Sequence, residues 1–271
     1  MRKVKIGIIG CGAIGSEIAK AIDRRFKNRA RLIAISDIDA KKTQFLRREL
    51  KKKPDILTVD GLIKKSDLII EAASAKISKQ VAKKSILAKK DIMIMSAGGL
   101  LKDYKSFFNL AERMGCKIYL PSGAICGLDG LKAASFGKIR KVELVTRKPP
   151  FALLGAPFIK RNNINLKKIK SEKIIFSGNA KDAIKGFPAN INVSCALSMA
   201  GIGAKKTRVK IITSPKFKRN IHEVVVEGDF GKLITKTENV PSPRNPKTSY
   251  LAILSAIQTL KQILEPIRIG T

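Results

Sequence analysis

The sequence predicts an α/β fold: an N-terminal doubly wound parallel sheet, then an α+β domain with a largely antiparallel sheet. Short apolar runs alternate with amphipathic, lysine-rich segments in the first 120 residues, and longer alternating strands with hairpin turns follow Pro121. A chain of 271 residues also suits roughly two domains of about 150 residues. We therefore predict one domain over residues 1–120 and a second over 121–240, with 241–271 packing back on the first.

The predicted strands of the first domain are nearly continuous apolar runs, as a sheet covered on both faces requires. They are Val4–Ile9, Leu32–Ser36, Asp67–Ala73, Asp91–Ser96 and Lys117–Leu120. The helices predicted between them include Gly15–Arg25, Ile77–Lys89 and Tyr104–Met114. The strands predicted after Pro121 are Lys141–Arg147, Arg208–Thr213, His222–Glu227 and Lys232–Thr237, and the helices are Ala189–Met199 and Ser249–Leu264.

The chain is strongly basic, with 55 Lys and Arg against 21 Asp and Glu and a formal net charge of +34. Such a charge attracts polyanions at low salt. The basic residues are nevertheless scattered along the whole chain, and no helix-turn-helix, zinc-finger or RNP-type signature accompanies them. We expect a lysine-rich solvated surface that favours an anionic substrate or cofactor, and no specific nucleic-acid binding.

Four well-separated cysteines, Cys11, Cys116, Cys126 and Cys195, form no C-x-x-C pair. The spacing predicts neither a metal site nor a disulfide framework, and it suits a reducing cytoplasm. No apolar run reads as a signal peptide or a membrane span, so we expect a cytoplasmic protein without a membrane partner.

A glycine-rich motif follows the first predicted strand and opens the first predicted helix. Its residues are Gly10, Cys11, Gly12, Ala13, Ile14 and Gly15. Glycines in this context allow a tight turn and a close approach to a pyrophosphate at the helix N-terminus. Asp37 ends the second strand, where an acidic side chain binds the adenosine ribose of NAD. The pair predicts a Rossmann dinucleotide site, against the alternative of a glycine-rich turn without a ligand.

The choice between NAD and NADP stays open at this level. Asp37 repels a 2′-phosphate, whereas Lys41 and Lys42 just beyond it are able to neutralise one. We favour NAD.

Small residues end two further predicted strands, at the sheet edge where open α/β sheets bind ligands. They are Ala73, Ser74, Ser96, Ala97 and Gly98. We assign them to the cofactor site because they leave room for nicotinamide; the alternative is an ordinary tight turn.

The only histidine, His222, is the one imidazole available for acid/base chemistry. It shares a strand face with Val224 and Val226, so it points to an apolar interior or a cleft. A structural core histidine is the alternative interpretation. Lys148 and Lys205 remain rival bases.

Ordered blocks of sequence resemble the archaeal and bacterial L-aspartate dehydrogenases of the NadX type over essentially the whole chain. The blocks are the glycine motif, Ser96–Leu100, Pro121–Ala124 with Gly127–Asp129, Thr146–Pro150, Phe187–Val193, Asn220–Glu223, Glu227–Gly231, Glu238–Pro243 and Asn245–Ser249. The resemblance implies reversible NAD(P)-dependent oxidation of L-aspartate to iminoaspartate, which hydrolyses to oxaloacetate and ammonia or supplies NAD biosynthesis. It also implies an active-site role for His222 and a place at the dinucleotide for Ala124 and Asn190.

A site for aspartate needs cations or oriented N–H donors for two carboxylates. The candidates carried forward are Asn192, Arg147, Lys148 and Lys247, while Arg208 and Arg244 are further basic side chains at strand ends or in loops. In the implied reaction a hydride leaves Cα for nicotinamide C4, with His222 as acid/base.

Other functions remain open at this stage. Another two-domain NAD(P) oxidoreductase, similar to dihydrodipicolinate reductase or homoserine dehydrogenase, would use the same first domain. A non-enzymatic dinucleotide-binding regulator is the alternative from a different class. We also expect a homodimer or higher homo-oligomer, and consider a hand-over of the imine to quinolinate synthase.

Overall fold

A computed structural model describes residues 2–188 and 192–270. The chain divides into two units, the first comprising Met1–Pro121 and Ile253–Arg268, and the second Ser122–Ala252 and Ile269–Thr271. The boundary falls after Ala252, not at residue 240, because the last short hairpin stays with the second unit.

The strands are β1 (Val4–Ile9), β2 (Ala30–Ser36), β3 (Asp55–Ile56), β4 (Leu68–Glu71), β5 (Asp91–Ile94), β6 (Ile118–Tyr119), β7 (Ile139–Lys148), β8 (Lys173–Asn179), β9 (Arg208–Thr213), β10 (Asn220–Gly228), β11 (Gly231–Asn239), β12 (Pro241–Ser242) and β13 (Asn245–Ser249). The helices are α1 (Ala13–Arg24), α2 (Ala40–Glu49), α3 (Val59–Lys65), α4 (Ala75–Leu87), α5 (Tyr104–Met114), α6 (Leu128–Ala134), α7 (Pro157–Arg161), α8 (Ala180–Gly186), α9 (Asn192–Ala200) and α10 (Tyr250–Leu264).

The first unit contains a parallel sheet in the order β3-β2-β1-β4-β5-β6. Successive apolar residues of one strand enter different cores: Ile8 packs in one cluster and Ile9 in another. This explains the continuous apolar runs, because both faces of the sheet are covered. The doubly wound Rossmann sheet is confirmed, and it carries a helix N-terminus next to the end of β1.

The C-terminal helix α10 contributes to the core of the first unit. Ala256 and Leu260, four residues apart, are fully buried in the same cluster as Ile6 and Ile8. Their helical spacing places both side chains on one face.

The second unit contains a sheet in the order β11-β10-β7-β9-β8. The β11–β10, β10–β7 and β9–β8 pairs are antiparallel, whereas β7 and β9 are parallel. The sheet is therefore mixed and largely antiparallel, since the chain leaves β7 and returns in the same direction in β9 only after β8 and three helices, α7, α8 and α9. Leu144, Val209 and Val226 on one face belong to the core cluster of this unit.

Four strands, β3, β8 and the two-stranded hairpin β12 and β13, are absent from the sequence prediction. β3 is a pair of exposed residues, and β8 buries only its two central residues, so neither has a clear apolar alternation. The helix predicted over Ala189–Met199 is observed as α9 in its described part, and residues 189–191 lie outside the described residues.

Within the described part of the chain, no helix is long and apolar enough to cross a membrane. The same residues contain no group of three His, Cys, Asp or Glu side chains arranged to hold a metal. All four cysteines are free thiols.

Candidate active site

The turn between β1 and α1 requires two of its three glycines for packing. Gly10 has φ +100°, and a Cβ there would lie 2.5 Å from the carbonyl carbon of Ala72. A Cβ on Gly15 would overlap the carbonyl oxygen of Gly10. These two glycines therefore allow the tight turn and the close contact between helix and strand.

Gly12 differs, because a Cβ on this residue would meet no atom within 4 Å. The space in front of its backbone is open, at the N-cap position of α1 where the helix exposes N–H groups and a partial positive charge. Cys11, Ala13 and Ile14 complete the turn. An open backbone surface at a helix N-terminus fits a dinucleotide pyrophosphate.

The carboxylate of Asp37 is held at the edge of this turn. Its Oδ2 accepts a 2.7 Å hydrogen bond from the Cys11 N–H, and its Oδ1 accepts a 2.9 Å bond from the Asp39 N–H. The ends of β1 and β2 are thus joined, and the carboxylate keeps lone pairs for a ribose hydroxyl. The Cys11 thiol is buried there, and burial, followed by the negative charge of Asp37, raises its pKa to about 12.

Glu71 organises the ends of β4 and β5. This completely buried carboxylate accepts hydrogen bonds from the Ala73 N–H (2.8 Å) and the Ser96 N–H (3.1 Å). Burial raises its pKa, whereas the backbone hydrogen bonds oppose the shift. One side chain therefore ties together the two loops in which the sequence places cofactor contacts.

The small residues of these loops divide into exposed and buried groups. Ala73 and Ser74 are exposed, while Ser96 and Ala97 are buried. The Ser96 carbonyl accepts a 3.1 Å hydrogen bond from the Ser78 hydroxyl, and Gly98 follows in a single 3₁₀ turn, Ala97–Gly99. Packing also requires small side chains in this segment, because a Cβ on Gly99 would overlap the Ser78 hydroxyl.

His222 lies in the second unit, on the interior strand β10 between β11 and β7. It is only 4% exposed, and its Nδ1 lies 3.0 Å from the hydroxyl Oγ1 of Thr146, directly across from it on β7. Val224 and Val226 on the same face are buried, as the alternation predicts. Burial, followed by the positive charge of Lys148, lowers the pKa of the imidazole to about 3. The ring is therefore neutral at physiological pH.

Lys148 shares a sheet face with Thr146, two residues along β7, and is 7% exposed. Burial lowers the pKa of its ammonium group to about 8. Thr146, Lys148 and Ser194 also line a cavity of about 10 Å³, roughly the space of one water. The buried neutral imidazole of His222 is therefore close enough to the buried Lys148 for the lysine charge to affect its pKa.

The loop containing Ala124 is attached to β11, next to His222. The Ala124 carbonyl oxygen accepts hydrogen bonds from the Thr237 hydroxyl (2.9 Å) and the Asn239 Nδ2 (3.1 Å). Thr237 lies directly across from His222 on β11. The Asn239 Oδ1 is buried and has no hydrogen-bond partner within residues 2–188 and 192–270, so its acceptor capacity is unused there.

The remaining predicted site residues of the second unit are Arg147, Asn192, Asn190 and Lys247. Arg147 points to the opposite sheet face, where it pairs with Glu223 at 3.2 Å, because neighbouring strand residues alternate. This placement separates it from His222 and argues against its assignment to the substrate. Asn192 begins α9. Asn190 and the side chain of Lys247 lie outside what the structure describes.

Four residues here escaped the sequence analysis as site residues: Glu71, Thr146, Thr237 and Asn239. A carboxylate at the end of an apolar strand was a usable signal for Glu71. No feature of the sequence identifies the two threonines or Asn239 as site residues, because strand register decides which residues face His222.

Comparison with known proteins relates both units to dehydrogenases. The model of the family "Aspartate dehydrogenase, C-terminal" matches residues 129–263, and the model of "Homoserine dehydrogenase, NAD binding domain" matches residues 10–121. The L-aspartate dehydrogenase of Methanosarcina barkeri is 48% identical over 271 residues, covering 99% of this chain and 100% of the relative. That of Nitrosopumilus maritimus is 42% identical over 272 residues, covering 98% of this chain and 99% of the relative.

A solved structure extends the similarity to the fold. The aspartate dehydrogenase of Thermotoga maritima superimposes with a TM-score of 0.78 at 24% identity, covering 99% of this chain and 100% of that one. A homoserine dehydrogenase from Thiobacillus denitrificans gives 0.64 at 11% identity, covering 97% and 74%.

Proposed function

This chain belongs to the L-aspartate dehydrogenase family of oxidoreductases, and on that premise we propose that it oxidises L-aspartate to iminoaspartate with NAD, reversibly. The imine then hydrolyses to oxaloacetate and ammonia or enters NAD biosynthesis. The observation that carries the proposal is the buried His222, held by Thr146 beside the buried Lys148.

His222 is the proposed acid/base. A hydrogen bond from Nδ1–H to the Thr146 hydroxyl leaves Nε2 free to accept a proton from the substrate amine as the Cα hydride departs. A bound nicotinamide would accept that hydride at its C4 atom. In the aminating direction the imidazolium returns the proton to the imine nitrogen.

Lys148 is the proposed partner of a substrate carboxylate. After burial, its positive charge is the second cause that lowers the pKa of His222. A dicarboxylate bound nearby would compensate that charge and raise the pKa of both groups, which makes His222 a stronger base when substrate is present. Lys148 also remains the rival base, since its own pKa of about 8 suits proton transfer at raised pH.

NAD is the proposed cofactor in preference to NADP. The Gly12 turn and the N-terminus of α1 would hold the pyrophosphate, and the fixed carboxylate of Asp37 would accept hydrogen bonds from the ribose and repel a 2′-phosphate. Lys42 is already paired with Asp39 at 3.8 Å. Ala73, Ser74, Ser96, Ala97, Gly98, Ala124 and Asn190 remain proposed cofactor contacts.

We propose a homodimer or higher homo-oligomer, and the cytoplasm as the compartment because all four thiols are free. Because the imine hydrolyses in water, an enzyme that consumes it, such as quinolinate synthase, would gain from direct hand-over.

The test measures NADH and NADPH formation from L-aspartate at raised pH, with glutamate, alanine and homoserine as control substrates. We expect aspartate-dependent NADH formation that falls at least about 100-fold in His222→Ala, with NADH affinity retained. Preference for homoserine would point to the homoserine dehydrogenase reaction. Tight NADH binding without turnover of any amino acid would instead support a dinucleotide-binding regulator.

A further inference from the structure

A concavity of about 630 Å³ lies on the second unit, where β7, β8 and β9 meet the loop between α9 and β9. Its volume is within the range of small-molecule sites, roughly 300–1,000 Å³. It contains Ser177 and Asn179 from β8 together with five basic side chains, described next.

The lining is strongly cationic. The basic residues are Arg140, Lys205, Lys206, Arg208 and Lys210, and the single carboxylate among the lining residues is Glu143. Arg140 pairs with Asp229, and Lys210 pairs with Glu143 at 2.9 Å. Lys205, Lys206 and Arg208 form no ion pair within the part of the chain that the structure describes. Three uncompensated positive charges therefore converge on one recess.

The loop that carries Lys205 and Lys206 is fixed by its backbone. Gly203, with φ +81°, accepts hydrogen bonds at its carbonyl from the N–H groups of Lys206 (3.2 Å) and Thr207 (3.0 Å). The buried Thr207 adds a 2.9 Å bond from its hydroxyl to the same carbonyl. A fixed loop lowers the entropy cost of binding because its backbone is already ordered before a ligand binds.

The recess is distinct from the His222 environment. In the sheet, Glu143 lies across from Arg208, so these two side chains share the Arg147 face, opposite to His222. Thr146, the partner of His222, is also three residues farther along β7, roughly 10 Å at 3.3 Å per residue. A ligand in the recess therefore does not occupy the space in front of the imidazole.

We propose that this recess binds a small anion with at least two linked phosphate groups. The three uncompensated cations carry more positive charge than one orthophosphate, at about −2, can balance, whereas a polyphosphate chain spreads several more negative charges across them. Lysine and arginine side chains, together with the Ser177 hydroxyl, supply the donors that phosphate oxygens require. The proposal is independent of the dehydrogenase reaction.

The test uses inorganic tripolyphosphate as the probe, titrated calorimetrically at constant ionic strength with saturating NADH to block the dinucleotide turn. We expect one tripolyphosphate per chain, and an affinity at least about tenfold below wild type in the triple variant Lys205→Ala/Lys206→Ala/Arg208→Ala. Orthophosphate should bind at least about tenfold more weakly than tripolyphosphate.

The matched control is Lys83→Ala/Lys105→Ala/Arg113→Ala, which also removes two lysines and one arginine, all exposed and all on helices of the first unit. Its affinity should stay within about twofold of wild type, because it loses the same net charge as the recess variant but keeps every basic residue that lines the recess. Equal weakening in both variants would show general attraction to a basic protein and overturn the proposal. A lack of saturable tripolyphosphate binding in the presence of saturating NADH would overturn it as well. Equal melting temperatures establish that both variants fold, and Lys206→Glu repeats the test if they differ.

Discussion

The Nδ1 atom of His222 and the hydroxyl oxygen of Thr146 lie 3.0 Å apart across the β10–β7 pair, in an environment where both residues are at most 5% exposed. This hydrogen bond fixes the ring orientation and determines which nitrogen faces a substrate. Thr146 is therefore a positioning residue for the proposed base.

Replacing Thr146 by Val removes the hydroxyl but keeps the shape of the side chain. We expect kcat for aspartate oxidation to fall about 10- to 100-fold, since a buried group that loses its partner costs about 1–3 kcal/mol. Thr146→Ser should restore most of the rate, and NADH affinity should be unchanged in both variants. Steady-state kinetics across pH give the result; an unchanged kcat and pH profile in Thr146→Val would contradict the assigned role.

The buried imidazole should make the protein sensitive to acid. With a pKa of about 3 when folded, against an ordinary value of 6.5, His222 is protonated first in the unfolded chain. Its contribution to stability is therefore complete above pH 6.5 and is lost as the pH falls towards 3, with a slope of at most about 1.4 kcal/mol per pH unit. Urea unfolding of wild type and His222→Gln at pH 6.5 and 4.5 measures how much of the pH dependence of the unfolding free energy comes from His222. Wild type should lose more stability than the variant, and parallel losses would rule the linkage out.

Two glycine substitutions should separate binding from folding. In Gly12→Ala the new Cβ enters open space, so stability should change by less than about 0.5 kcal/mol while NADH affinity falls, because the methyl group lies where a pyrophosphate would approach. Gly15→Ala should instead destabilise the protein strongly, since its Cβ overlaps the Gly10 carbonyl. NADH titration and thermal unfolding distinguish them. Equal effects on both quantities in the two variants would mean that Gly12 has no special exposure to the cofactor.

Glu71→Gln tests whether one buried carboxylate organises two cofactor loops. An amide has one acceptor oxygen, so either the Ala73 or the Ser96 N–H loses its partner and faces an NH₂ group. We expect a loss of about 1–3 kcal/mol in stability and a weaker affinity for NADH. Glu49→Gln, at a carboxylate on α2 that pairs with Lys20 at 3.0 Å and contacts neither loop N–H, serves as the control. If NADH affinity survives in Glu71→Gln, the loops do not depend on this carboxylate.

Local features of the sequence were sufficient to determine much of this protein. The apolar runs and the glycine motif predict the parallel sheet and the dinucleotide turn, because strand burial and glycine conformations depend on neighbouring residues. The alternation around His222 also predicted that it faces an apolar interior or a cleft and not open solvent, and the residue is buried. These features need no knowledge of distant contacts.

Only the tertiary structure decided what surrounds each of these residues. Register across β7 and β10 brings Thr146 to His222 and turns Arg147 away, although Thr146 and Arg147 are adjacent in sequence. Packing brings Glu71 to the Ser96 N–H, 25 positions away. Burial then sets the pKa values of His222 and Lys148, because desolvation depends on every element that covers them. Strand pairing and solvent exclusion are long-range properties, and composition or spacing within one segment does not contain them.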